Sequence, residues 1–104
     1  MYKVFVSHKL KGKLEKTEKI FRNWFEKLCS QLAENPFVGK PLVVGWFREK
    51  KLGKQRIYFL VYKELESVYL VDLSEKKNQQ KIINSVRLLL DIYKNDLLEL
   101  LKKS

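Results

Sequence analysis

Apolar positions along this chain change period several times, and the changes mark out its elements. Tyr2 to Ser7 alternates, with Tyr2, Val4 and Val6 on one face and Phe5 on the other, as in a strand. From Lys9 to Ala33 the spacing turns helical: Leu10 and Leu14, then Ile20, Phe21, Trp24, Phe25, Leu28 and Leu32 form one broad stripe. Gly12 and the Lys16-Thr17 step interrupt it, which predicts a short helix and then a longer one that Thr17 caps and Glu18 opens. Trp24 and Phe25 read as core residues against a sheet, with base stacking as the weaker alternative. Glu34-Asn35-Pro36 ends the second helix, because Asn tolerates the left-handed terminal conformation and Pro cannot continue the ladder. Phe37 to Gly45, with its two Gly and second Pro among apolar residues, reads as a loop tucked against the fold.

Three strands follow: Trp46 to Leu52, Gln55 to Tyr62, and Val68 to Leu73. The first two form a hairpin around Gly53. Alternation puts Arg48, Lys50 and Leu52 on one face of the first strand and Phe47, Glu49 and Lys51 on the other. In the second, Arg56 shares a face with Tyr58, Leu60 and Tyr62, leaving Ile57, Phe59 and Val61 to the core. The near-continuous apolar run of the third suits a central strand. Beyond Lys76-Lys77, Ile82, Ile83, Val86, Leu89, Leu90, Tyr93, Leu97, Leu100 and Leu101 recur at helical steps, and Asn95-Asp96 predicts a break. Leu88, Ile92 and Leu98 widen this stripe; packing on the sheet accounts for Ile82 to Leu90, and for Leu97 to Leu101 the sheet, a partner helix and a second copy are all open as the cover.

The 104 residues hold no linker tract and no repeat, so a single domain over 1–104 is expected. Lys and Arg number 22 against 12 Asp and Glu, a net charge of +10, which suits a polyanion or an acidic protein partner. A solvated Lys-rich surface is the bland reading of the same number. Cys29 is the only cysteine, which excludes a disulfide scaffold and a cysteine zinc site. His8 is the only histidine and reads as a surface residue; with no His and carboxylate cluster, neither a metal nor a cofactor is expected. No apolar run approaches the ~20 residues of a membrane span, and Tyr2 to Ser7 is too short for a signal peptide, so a cytoplasmic protein is expected. Arg48, Lys50, Lys51, Lys54, Arg56, Lys76 and Lys77 crowd around strand ends, and these cations are expected to meet on one anion-binding surface. Against that stand edge-strand charges that discourage aggregation, and a surface pair of Arg56 with Glu64 or Glu66 worth ~0–1 kcal/mol.

The order strand, two helices, Asn-Pro loop, three antiparallel strands and C-terminal helix resembles the RelE/ParE superfamily of toxins from toxin-antitoxin systems. The likeness rests on Glu34-Asn35-Pro36 with Gly39-Lys40-Pro41-Leu42, on Phe47-Arg48-Glu49-Lys50-Lys51-Leu52, and on Arg56-Ile57-Tyr58-Phe59-Leu60-Val61-Tyr62. It implies a small α+β RelE-like fold: a mainly antiparallel sheet of about four strands, an N-terminal helical hairpin and a C-terminal helix. It also implies a ribosome-dependent mRNA endonuclease, with Arg48, Lys50, Arg56 and Lys76 as catalytic residues and Lys51, Lys54, Lys77 and Tyr58 as RNA contacts. Such an enzyme stabilises attack of a 2′-hydroxyl on its own phosphate, with Lys50 as base and Glu49 or Tyr58 as lesser options. The implied partners are mRNA on the ribosome and a cognate antitoxin, in a toxin-antitoxin hetero-oligomer. The family's C-terminal Tyr or His has no counterpart, since Asn78-Gln79-Gln80-Lys81-Ile82 occupies its region. That departure keeps two alternatives open: a ParE-like gyrase inhibitor, and a catalytically idle RNA-binding or antitoxin-binding domain.

Overall fold

In the computed structural model, which describes residues 1–104, one sheet separates two helical layers. Its five strands are β1 (Lys3–Val6), β2 (Lys40–Leu42), β3 (Val44–Leu52), β4 (Gln55–Tyr62) and β5 (Ser67–Glu75), in the spatial order β1-β5-β4-β3-β2. β1 runs parallel to β5 and every other pair is antiparallel, so the fold is α+β as expected, with one strand more than the sequence pattern suggested. The added strand is β2, inside the segment read as a loop. Pro41 lacks an N–H and masks the pattern, yet an edge strand that pairs only with β3 tolerates it.

The first layer holds α1 (His8–Leu14) and α2 (Lys19–Glu34). Ser7 caps α1, its hydroxyl accepting from the Leu10 amide at 3.1 Å while donating to the Val71 carbonyl at 2.9 Å, which ties the helix start to β5. Thr17 does not cap α2. Its hydroxyl donates back to the Leu14 carbonyl at 2.6 Å, and Glu18 holds the N-cap position without a side-chain bond. Asn35 ends α2 with φ −143°, extended and not left-handed, so Pro36 carries the stop. Leu10, Phe21, Phe25, Leu28 and Leu32 pack on Ile57, Phe59, Val61, Val68 and Leu70 to form the first core. Ile20 and Trp24 stay outside it, exposed, because the apolar stripe of α2 is wider than the face the sheet covers.

On the other side, Ile82, Ile83 and Val86 of α3 (Gln79–Leu88) and Tyr93 and Leu97 of α4 (Leu90–Lys103) cover Phe47, Tyr58, Leu60, Tyr69 and Val71. The expected break at Asn95-Asp96 lies too late in the chain: both residues are exposed inside α4, and the chain bends at Leu89 (φ −104°, ψ 10°). There the Leu89 amide is shared between the Ser85 and Val86 carbonyls, both at 3.1 Å. Packing sets this bend, since it lays α4 on the sheet with Tyr93 edge-on to Tyr69 at 6.0 Å.

Candidate nucleic-acid interface

The β3–β4 hairpin sorts the basic residues onto two faces. Gly53-Lys54 is a two-residue turn with Gly53 at φ +61°, the arrangement of a type II′ turn, and it fixes the register Lys51↔Arg56, Lys50↔Ile57 and Glu49↔Tyr58. Residues directly opposite share a face. Ile57 belongs to the first core, so Lys50 lies on the α2 side together with Arg48 and Leu52, while Lys51 and Arg56 lie on the α3 side. The expectation that Arg48, Lys50, Arg56 and Lys76 gather in one pocket is therefore corrected. With a period of two, Arg48 and Lys50 occupy the parity opposite to the one that faces Arg56.

Arg48 is occupied structurally. Its guanidinium donates to the carbonyls of Phe37, Val38, Gly39 and Gly45 at 2.9–3.2 Å and lies 5.7 Å from the Phe37 ring centroid, clipping the 37–45 segment to β3. Lys9 and Lys13 of α1 are likewise engaged, at 3.1 and 2.5 Å from the carboxylate of the buried Asp72. Lys50 borders a groove on the far face with Trp24, Lys27 and Gln31.

On the α3 side, two cross-strand rungs assemble a different set. One is Lys51, Arg56 and Ser74; the next is Lys40, Glu49 and Tyr58. Gly39 permits the second, because at φ +79° a Cβ there would lie 2.2 Å from the Glu49 carbonyl oxygen. The Glu49 carboxylate is buried, accepts from Gln79 Nε2 at 2.6 Å and lies 4.0 Å from Arg56 Nε. That Nε is itself buried and makes no hydrogen bond. Arg56 thus faces Glu49, and not the Glu64 or Glu66 weighed from sequence. Lys76 and Lys77 lie exposed in the single turn Lys76–Asn78 that carries β5 into α3, just past the Gln55↔Glu75 pair, and Lys77 reaches Glu75 at 3.7 Å. Lys54 stands exposed at the hairpin tip.

Tyr58 is fully buried and offers no surface to RNA, which corrects its reading as an RNA contact. Its hydroxyl lies 2.9 Å from Ser74 Oγ, and because the Ser74 hydroxyl donates to the Glu75 carbonyl at 3.0 Å, Tyr58 is the donor between the two. Burial raises the Tyr58 phenol above its ordinary value, and the nearby Glu49 and Asp72 carboxylates push the same way. It serves as a neutral donor, not as a base. His8 is the exposed first residue of α1. Sequence reasoning missed Lys40, whose strand Pro41 disguised, and Gln79, since a polar residue opening a helix carries no signal of its reach. What results is a cationic rim, Lys40, Lys51 and Arg56 with Lys76 at its end, around one sequestered carboxylate. Such a rim is equipped to hold a phosphate and to move a proton beside it.

No protein-family model and no curated protein matches the chain. Solved structures do. A double mutant of the E. coli toxin RelE in the free state superposes with a TM-score of 0.72 at 15% identity, covering 85% of this chain and 97% of that one. The archaeal RelE–RelB complex from Pyrococcus horikoshii OT3 gives 0.64 at 17% identity, over 72% and 94% of the two chains. The toxin-antitoxin complex RelBE2 from Mycobacterium tuberculosis gives 0.64 at 19%, over 72% and 98%. The chain therefore has the fold of the RelE toxins, at identities that carry the fold alone. No helix is long and apolar enough to cross a membrane.

Proposed function

We propose that this protein is a RelE-like toxin that cuts mRNA on the ribosome and is held inactive by a cognate antitoxin. The observation that carries the reading is the Lys51↔Arg56 pair beside the buried Glu49 carboxylate, on a fold shared with RelE. Arg56 holds the scissile phosphate, with Lys40 and Lys51 adding to the field that stabilises the phosphorane. Glu49 takes the proton from the 2′-hydroxyl, whose oxygen attacks the adjacent phosphorus. The P–O5′ bond breaks to leave a 2′,3′-cyclic phosphate, and the departing 5′-oxygen takes a proton from the Lys76 ammonium. Lys54 and Lys77 flank the path of the strand as phosphate contacts.

Arg48 tied to four carbonyls and Tyr58 sealed in the core favour a second reading, an RNA-binding or antitoxin-binding domain that does not cut. Primer extension on mRNA from a cell-free translation reaction separates the two. New 5′ ends inside ribosome-bound codons, reduced about a hundred- to a thousandfold by Arg56→Ala, support the nuclease. Salt-dependent RNA binding without cuts selects the idle domain. Stalled DNA supercoiling with intact mRNA points to a gyrase inhibitor instead.

A further inference from the structure

The back of the hairpin carries a second arrangement. Trp24, Lys27, Leu28 and Gln31 from α2 and Lys50 and Leu52 from β3 line a groove of about 340 Å³. Trp24 is 41% exposed, its ring edge lying against the turn, so that a Cβ at Gly53 would sit 3.2 Å from Cζ3. The indole thus meets the hairpin turn at one edge and remains partly exposed in the groove. No acidic side chain lines the groove, and neither Lys27 nor Lys50 has an ion-pair partner. A partly exposed indole, two ammonium groups without ion-pair partners and an amide donor, Gln31, match a nucleotide: base on the ring, phosphates on the lysines. An acidic peptide would use the lysines but leave the indole without a planar partner.

We infer that the Trp24–Lys27–Lys50 groove is a second single-stranded RNA subsite. It takes the strand that has crossed the hairpin tip at Lys54 from the Arg56 face. The inference rests on the reading of the protein as an RNA-binding toxin, but it concerns the opposite side of the sheet and needs no cleavage. The chain has two tryptophans, Trp24 and Trp46, so Trp46→Phe leaves Trp24 as the sole indole reporter.

The test titrates oligouridylate into the Trp46→Phe, Arg56→Ala protein and follows indole fluorescence. Saturable quenching is expected. Lys27→Ala and Lys50→Ala should each lower the slope of log affinity against log salt by about 0.7. Trp24→Leu, checked for an unchanged circular dichroism spectrum and read by the anisotropy of a 5′-labelled oligouridylate, since no indole is then left, should weaken binding about tenfold. Fluorescence unmoved by RNA that demonstrably binds overturns the subsite while leaving the Arg56 site standing. Equal quenching by polyglutamate also overturns it, showing a groove for acidic protein. Quenching in a protein whose wild-type form never cuts mRNA upholds the subsite and removes only the nuclease.

Discussion

The two faces of the β3–β4 hairpin carry similar numbers of cations and put them to different use. On the α2 face, Arg48 spends its whole guanidinium on backbone carbonyls and Lys50 borders an open groove. On the α3 face, Lys51 and Arg56 stand opposite each other beside a buried carboxylate, and Arg56 Nε has no hydrogen-bond partner. Charge count therefore says little about chemistry here. An arginine whose nitrogens are all committed to backbone carbonyls is a structural clip, whereas one that binds no carbonyl and faces an ionisable partner keeps its guanidinium for a substrate.

The sharpest way to test that contrast is to remove each arginine in turn. Arg56→Ala should lower codon-specific cleavage about a hundred- to a thousandfold while the folded state persists, read by primer extension beside a thermal melt. Lys51→Ala should act in the same direction by about tenfold, since an ammonium across the strand adds field without a fork. Cleavage that survives both substitutions would detach the chemistry from this face altogether.

Arg48→Ala should do the reverse. Losing hydrogen bonds from a charged donor to four carbonyls should cost about 2–3 kcal/mol of stability, seen as a melting midpoint lower by about 10 °C or more. Arg48→Lys should recover little of this, because one ammonium cannot span carbonyls contributed by Phe37, Val38, Gly39 and Gly45. If Arg48→Ala instead abolishes cutting with an unchanged melt, the assignment of the two faces is inverted.

How far the sequence foretold these faces depends on what each step required. Period-two alternation correctly separated Arg48 and Lys50 from Glu49 and Lys51, and it grouped Ile57, Phe59 and Val61 as core. It could not say which face of β3 shares a side with Arg56. That is a matter of register, and register follows from the two-residue turn at Gly53-Lys54. Lys40 lay hidden in a proline-containing edge strand, and the bend at Leu89 has no local breaker because tertiary packing imposes it. Trp24 was legible as part of an apolar stripe, but only the width of the covering sheet decides which members of a stripe are buried. Local pattern thus identified the elements other than β2, while cross-strand geometry decided which cations share a face.

The smallest effect is an alkaline one, and it again separates the two layers. The tyrosines with raised phenols, Tyr58, Tyr62, Tyr69 and Tyr93, all pack in the α3–α4 layer, and burial is the leading cause for each. Tyr62 and Tyr69 are pushed up to about 12. The α2 layer instead holds Cys29, raised to about 11 by burial and by Glu26. A group whose folded value exceeds its unfolded one keeps its proton longer when folded, so its contribution is complete below the unfolded value and is lost as pH climbs toward the folded one. For Cys29 that window runs from about pH 9 to 11, and for Tyr62 and Tyr69 from about pH 10 to 12. Urea unfolding at stepped pH should therefore show Cys29→Ala flattening the earlier part of the loss and Tyr69→Phe the later part. Lysine deprotonation, common to all three proteins, cancels in the difference curves. Because Tyr69 meets Tyr93 edge-on, the later phase should report α4 leaving the sheet before α2 does, readable as faster amide exchange over residues 90–103. Coincident loss of both helices at every pH would mean that the sheet does not insulate its two sides from one another.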